Sequence, residues 1–277
     1  MEYLILIMSK NQKYLQDLKK ANFDLVKGAR LFQIWGGLAY LEIRQRYARS
    51  IIGPFWLTLS MGVLIAAMGP LYGALFGQSI SGYIQYLSVS MILWGFISGT
   101  INEAGSVFIS AEGYIKQVTL PLSTYVLKLV TRNLLILAHN AVVAIVVLWF
   151  LPPSHFSTLW LMPAGLLLVI ANLCWFVLLV GMVSARYRDF PQLVTNVVQV
   201  MFFLSPIMWK AEMLTANQRF LADINPLFHL MEIVRAPLLG NPINPLSWIF
   251  CIGMLIIGGA ISFMAFVRLR ARVPYWL

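Results

Sequence analysis

Six runs of predominantly apolar residues divide this chain, at roughly Pro54–Phe76, Tyr83–Ile109, Asn133–Leu151, Met162–Ala185, Leu193–Trp209 and Ser247–Val267. A segment of about 20 such residues spans the hydrocarbon core of a bilayer as a helix, which satisfies every backbone donor and acceptor internally. The fold class that follows is an all-α polytopic membrane protein with six transmembrane helices. The second run is long enough to tilt or to continue past the membrane, and the fifth is short. Composition agrees: 60% of the 277 residues are hydrophobic and 11% charged, against about 25% charged in an ordinary soluble domain. A disordered chain, a disulfide scaffold and a conventional soluble enzyme are excluded. Cys174 and Cys251 both fall inside apolar runs and read as packing residues.

The charges orient the spans. With six spans the two termini share a side. That side would carry residues 1–50, the 110–132 and 186–192 connections and the tail from Arg268 on, with 17 of the 20 cations. The remaining three, Lys210, Arg219 and Arg235, lie in the 210–246 segment beside Glu212, Asp223 and Glu232. By the positive-inside rule both termini are expected in the cytoplasm. Tyr72, Phe76, Tyr83, Tyr86, Trp149, Trp160, Trp209 and Trp248 fall near the opposite ends of their runs, where amphipathic rings prefer to sit. The opening MEYLILIM lacks the basic stretch and the length of a signal peptide.

Two flanking segments carry helical signals of their own. Between about residues 30 and 50, Leu31, Ile34, Trp35, Leu38 and Leu41 recur at helical spacing and lead into Arg44, Arg46 and Arg49. This pattern predicts an amphipathic interface helix on the inner leaflet, or one packed on a partner. In the 210–246 segment Asn225-Pro226 supplies an N-cap with proline at the first helical position, and Gly240 a C-cap. Leu227, Leu230, Met231, Val234 and Leu238 form one stripe between them, as expected of a short helix re-entering the membrane or lying across an exit, with Pro237 bending its last turn.

Catalytic chemistry finds no foothold. None of the eight lysines precedes Ser or Thr, so no phosphate-binding loop occurs. His139, His155 and His229 lack metal-ligand spacing, and no metal site or catalytic residue is assigned. The deepest ionisable residue in the runs, Glu103, is expected to pair with Lys128 or Arg132 near the inner end, and charge-poor spans argue against ion coupling. Energy for transport would then come from another chain. The 110–122 connection is the candidate contact for it, with Tyr114, Ile115 and Val118 as an apolar face closed by Pro121.

At four places, Arg44–Trp56 (RQRYARSIIGPFW), Gly113–Pro121 (GYIKQVTLP), Arg186–Met208 (RYRDFPQLVTNVVQVMFFLSPIM) and Asn225–Gly240 (NPLFHLMEIVRAPLLG), the chain resembles the permease subunit of bacterial ABC-2 type polysaccharide exporters. The RAPLLG ending looks most like the O-antigen branch, with capsule and teichoic-acid exporters sharing every other feature. The resemblance spans about residues 30–268 and assigns nothing to 1–29. It implies an inner-membrane homodimer working with two copies of a separate ATPase, on which ATP and magnesium would sit, this chain holding no cofactor. It implies that Glu112, Gly113, Tyr114, Ile115, Lys116 and Gln117 form the coupling helix seated in the ATPase. Arg44, Arg46 and Arg49 would attract the pyrophosphate of an undecaprenyl-linked glycan. Trp56, Tyr72, Tyr86, Trp94, Phe202 and Phe203 are the candidate rings lining the channel. An ABC-2 permease for a drug or small lipid is the alternative of another class.

Overall fold

The computed structural model describes residues 2–46, 52–53, 55–153 and 155–277, the side chains of 2–11 and 216 excepted. Regular structure among the described residues is helical throughout. Two helices, α1 (Glu2–Arg30) and α2 (Phe32–Arg46), lead into the long apolar helices α3 (Phe55–Leu75) and α4 (Ile80–Ala104). After the short α5 (Glu112–Gln117) come α6 (Leu122–Phe150), α7 (Met162–Arg186) and α8 (Phe190–Leu204). The chain closes with α9 (Ala216–Asp223), α10 (Pro226–Leu239), α11 (Pro245–Leu269) and α12 (Val273–Trp276).

Among the described residues five helices, α3, α4, α6, α7 and α11, are long and apolar enough to cross a membrane. The fifth apolar run, expected to be short, ends as a helix five residues before Trp209. It folds into α8, whose 15 residues reach about 22 Å at helical rise, short of the roughly 30 Å core. Pro206 stops it: Ser205 before the proline is extended (φ −91°, ψ 141°), and residues 205–209 continue without helix. The second run also stops early, at Ala104, with turns from 105 to 111. The third helix begins at Leu122, eleven residues ahead of the expected Asn133, because Lys128 and Arg132 are neutralised by partners within the fold.

Side-chain bonds set the direction of each helix. Asp24 of α1, Leu122 and Ser123 of α6 and Arg270 just past α11 meet at one end of the bundle. Arg188, between α7 and α8, donates to the carbonyl of Leu277 at the same end. At the opposite end Tyr83 donates to the Met208 carbonyl (2.5 Å), and Gln85 to that of Leu151 (2.7 Å). We call these the terminal and distal ends. Gly105 lies so close to Pro191 that a Cβ on it would sit 2.7 Å from the proline's own, which starts α8 at the terminal end. Segment 205–209 reaches the distal end, so the chain traverses the bundle six times and α1 and the C-terminal tail share an end.

The core runs along α4, which packs against α3, α6, α7, α8 and α10. Helix α10 is capped as the sequence predicts. The Asn225 Oδ1 accepts from the backbone N–H groups of Leu227 (2.9 Å) and Phe228 (3.4 Å), and Gly240 closes it with φ +68°. Pro237 lies inside its last turn. The helix is buried on several faces; His229 is bonded to Ser247 and the Asp223 carbonyl, and Gly165 of α7 leaves no room for a Cβ beside the Ile233 carbonyl. It is plugged into the distal end of the bundle. On helix α2, Ala39 and Ile43 are buried, and Ile34 and Leu41 of the expected stripe point outward.

Candidate functional site

At the terminal end, turns 105–111 deliver α5 between α4 and α6 as a protruding single helical segment. Glu112 and Lys116 pair along it (2.7 Å), and Arg188 approaches the other carboxylate oxygen at 4.0 Å. These partners hold the Glu112 carboxyl below its ordinary range, the hydrogen bond from Lys116 foremost. Tyr114 is 65% exposed and Val118 46%, whereas Ile115 turns inward against the core. The apolar face expected from three residues is thus presented by two, and the third anchors the segment. Gly113 and Gln117 are exposed, and α12 lies alongside.

Directly behind α5 sits a network that sequence reasoning resolved only in part. Glu42 of α2 receives Lys128 Nζ and Arg132 Nη1 (2.8 Å), and Arg132 Nη2 continues to Glu103, which also accepts from Asn133 (2.7 Å). Of the two partners expected for Glu103, Arg132 is the one found. These residues line a cavity of about 230 Å³ together with Ser106, Ser110 and Tyr114. The network therefore joins α2, α4 and α6 at the base of α5. Glu42 gave no signal of its own in the sequence, because its partners lie more than 80 residues away.

Glu42 carries a pH prediction. Burial by itself would raise its carboxyl pKa, but the hydrogen bond and charge of Lys128 and the charge of Arg132 outweigh burial and lower it. A carboxyl lowered on folding stabilises the fold above its unfolded value and loses that contribution as pH falls through the folded one. The wild-type protein should therefore lose stability on acidification below the ordinary carboxylate range, and Glu42→Gln should flatten that loss. At neutral pH the variant should be less stable by about 1–2 kcal/mol, a figure discounted for solvent because the Glu42 side chain is 32% exposed. Thermal melts across pH in one lipid or detergent check both. Identical acid profiles would remove Glu42 from this role.

The candidate rings divide among four places. Trp94, Phe202 and Phe203 share a cavity of about 430 Å³ with Ser98, Asn102, Thr195 and Gln199, the Trp94 and Phe202 rings 5.6 Å apart. Phe203 is 70% exposed on the outer face of α8. Above it, Tyr72 joins Phe76 and Tyr83 in a line of rings spaced 5.9 and 6.0 Å. Trp56 stands half-exposed in the first turn of α3, apart from both. Tyr86 is held in place: its hydroxyl donates to the Pro206 or Trp209 carbonyls and accepts from buried Arg235, whose guanidinium lies 4.7 Å from the ring. It forms one wall of a distal cavity of about 880 Å³ that also contains Lys210, Glu212, Arg219 and Glu232. Arg44 and Arg46 end α2 exposed, and Arg49 lies outside the described residues.

The described residues thus form a multi-pass helical bundle with a cavity of rings, hydroxyls and amides between two of its crossings and a short helix exposed at one end. The family profile for ABC-2 type transporters matches residues 37–239, well over half of the chain. No curated protein matches it. The chain belongs to the ABC-2 type transporter membrane family. It is accordingly a permease subunit of an ABC transporter, a transport component that associates with a separate ATPase.

Proposed function

We propose that this chain is the channel-forming subunit of an ATP-driven exporter of lipid-linked polysaccharide in the bacterial inner membrane. It acts as a homodimer with both termini, α5 included, in the cytoplasm, where most of the cations lie. One observation carries the reading. Gln192, Thr195, Asn196 and Gln199 form an exposed, uncharged polar stripe on apolar α8, continued by Phe203 and faced by Ser98, Asn102 and Trp94 of α4. Polar side chains on a membrane-crossing helix face protein or a water-filled path, seldom lipid. A second copy laid against this face would close the stripe into a conduit of amides, hydroxyls and rings. Such a wall suits a sliding glycan: rings stack on the C–H faces of sugars, and amides exchange bonds with their hydroxyls without a fixed charge to arrest them.

In the same reading Glu112–Gln117 is the coupling helix, with Tyr114 and Val118 the side chains offered to the ATPase. Arg44, Arg46 and Arg49 draw in the pyrophosphate of an undecaprenyl-linked O-antigen by charge-assisted bonds. Trp56, Tyr72 and Tyr86 extend the ring lining beyond the α4–α8 cavity. Capsular polysaccharide and teichoic acid are the neighbouring substrates.

Deletion of the gene, followed by localisation of surface glycan and its carrier-linked precursor, tests the proposal. The expected result is loss of the surface polymer with completed, carrier-bound chains trapped on the cytoplasmic side. The wild-type gene should restore export, and a Glu112→Lys, Lys116→Glu, Tyr114→Ala variant should insert and assemble yet restore less than a tenth of it. Unchanged surface glycan, with no second exporter present, overturns the substrate assignment in favour of a drug or small-lipid permease. Full export by the variant overturns the coupling assignment.

A further inference from the structure

Helix α1 lies ahead of the region that the family profile matches, and nothing assigned to the transporter uses it. Its packed side is set by Leu18, Ala21, Asp24, Leu25 and Gly28. The opposite side is of another character. Leu15, Phe23 and Val26 are 56%, 65% and 45% exposed, and Lys19, Lys20, Lys27 and Arg30 are exposed around them. None of these four cations has an ion-pair partner among the described residues. The acids of this part of α1, Asp17 and Asp24, are on its packed half, and Asp24 is taken by Arg270. Arg270 stands just beyond the apolar run of α11, so their pair fixes α1 at the level where a helix leaves the hydrocarbon. Apolar rings and chains framed by cations at that level are the signature of a surface that meets anionic headgroups.

Beside this face a slot of about 360 Å³ opens between α1, α6, α7 and α11. Leu25, Val126, Leu127, Trp175, Gly259 and Phe263 form its nearly unbroken apolar walls. It runs from α1 to Gly259, which stands about 12 Å up α11 from Val267 at helical rise. Two adjacent glycines on α11 show that the slot is a true gap. A Cβ at Gly258 would lie 2.4 Å from the Trp175 ring, whereas one at Gly259 would meet nothing within 4 Å. The slot is on the side of the bundle away from the α4–α8 cavity, so the transport path does not account for it.

We infer that α1 and this slot form a binding site for one anionic phospholipid of the leaflet at the terminal end. An acyl chain fills the slot, and the headgroup phosphate lies by Lys27 and Arg30, with Lys19 further along the same side adding to the field. The occupant follows from both halves of the site. The walls admit hydrocarbon only, the mouth carries uncompensated positive charge, and the surrounding solvent at that depth is lipid. A protein partner on the same face would need to bring acidic residues and would leave the slot empty.

Native mass spectrometry of the purified full-length chain, titrated with phosphatidylglycerol or phosphatidylcholine of identical chains, tests the site. Wild type should retain phosphatidylglycerol at ten- to a hundredfold lower concentration than phosphatidylcholine, since each cation near an anionic headgroup contributes roughly a fivefold step. The Lys19→Gln, Lys27→Gln, Arg30→Gln variant should bind the two lipids alike. Gly259→Leu, which fills the slot with side chain, should lose the bound lipid, whereas Gly259→Ala should keep it. Equal retention of the two lipids by wild type overturns the proposal. Undiminished phosphatidylglycerol preference in the triple variant overturns the headgroup half, and in Gly259→Leu the slot. An acidic protein captured by α1 in place of lipid, abolished by the triple variant, assigns the face to that partner and overturns the lipid. The readout is lipid retention, so its outcome is independent of whether a glycan is exported.

Discussion

Arg235→Met is expected to destabilise the distal half of the bundle more than any other single substitution in this chain. The Arg235 side chain is 3% exposed, yet each of its donors is placed. Nε and Nη2 bond Glu232 at 3.0 and 2.5 Å, and Nη1 is shared among the Tyr86 hydroxyl, Ser90 Oγ and the Pro206 carbonyl. It therefore ties α10 to α4 and to the non-helical segment that completes the fifth crossing. Methionine fills much of the volume but leaves the Glu232 carboxylate, 16% exposed, without its counter-charge. Breaking a buried pair in this way costs about 3–5 kcal/mol, because an uncompensated charge remains in a poorly polarisable site. The apparent melting midpoint in lipid nanodiscs should fall by roughly 10 °C. The Arg235→Met, Glu232→Gln double variant should recover more than half of that loss, since no lone charge is then buried. A single variant melting within about 2 °C of wild type would show that the guanidinium is not what closes this end.

Much of this architecture is legible in the sequence because a membrane leaves few choices. Apolar runs place α3, α7 and α11 to within a few residues, and the Asn225-Pro226 and Gly240 signals bound α10, since caps are local chemistry. Where the reading failed, a distant partner had changed the meaning of a residue. Lys128 and Arg132 look like loop cations, yet Glu42 and Glu103 allow them inside a helix that starts eleven residues early. The point where α8 ends was equally hidden, because the apolar character runs on past Pro206 although the helix does not. The side of α2 that packs on the bundle was not legible either: Ala39 and Ile43 are its buried residues, and the helix lies against α6. Among the candidate rings, spacing alone could not separate Tyr86, locked by Arg235, from Phe203, open on α8.

Asp24 is the farthest-reaching of these hidden residues, and its replacement by alanine should release α1. The first N–H groups of a helix have no partner within it. In α6 two of them, those of Leu122 and Ser123, are bonded at 3.2 and 3.1 Å by the carboxylate of Asp24, nearly a hundred residues earlier. The same carboxylate accepts from Ser123 Oγ (2.9 Å) and from Arg270 Nη1 (3.0 Å) while remaining 4% exposed. An anion here satisfies donors and complements the helix dipole at once. Its loss should cost about 2–4 kcal/mol, combining a missing cap with an unpaired arginine. Hydrogen exchange should accelerate at least tenfold across α1 and the first turn of α6 and stay unchanged at the distal end. Asp24→Asn, which keeps an acceptor but no charge, should fall between. Gly28→Leu offers an independent route to the same state, since a Cβ there would lie 2.0 Å from Ser123 Oγ. If both variants expose α1 and leave the protein assembled, the clamp is what holds the N-terminal helix against the start of α6, five residues past the end of α5. Unchanged exchange in Asp24→Ala would mean that α1 is held by its apolar face alone.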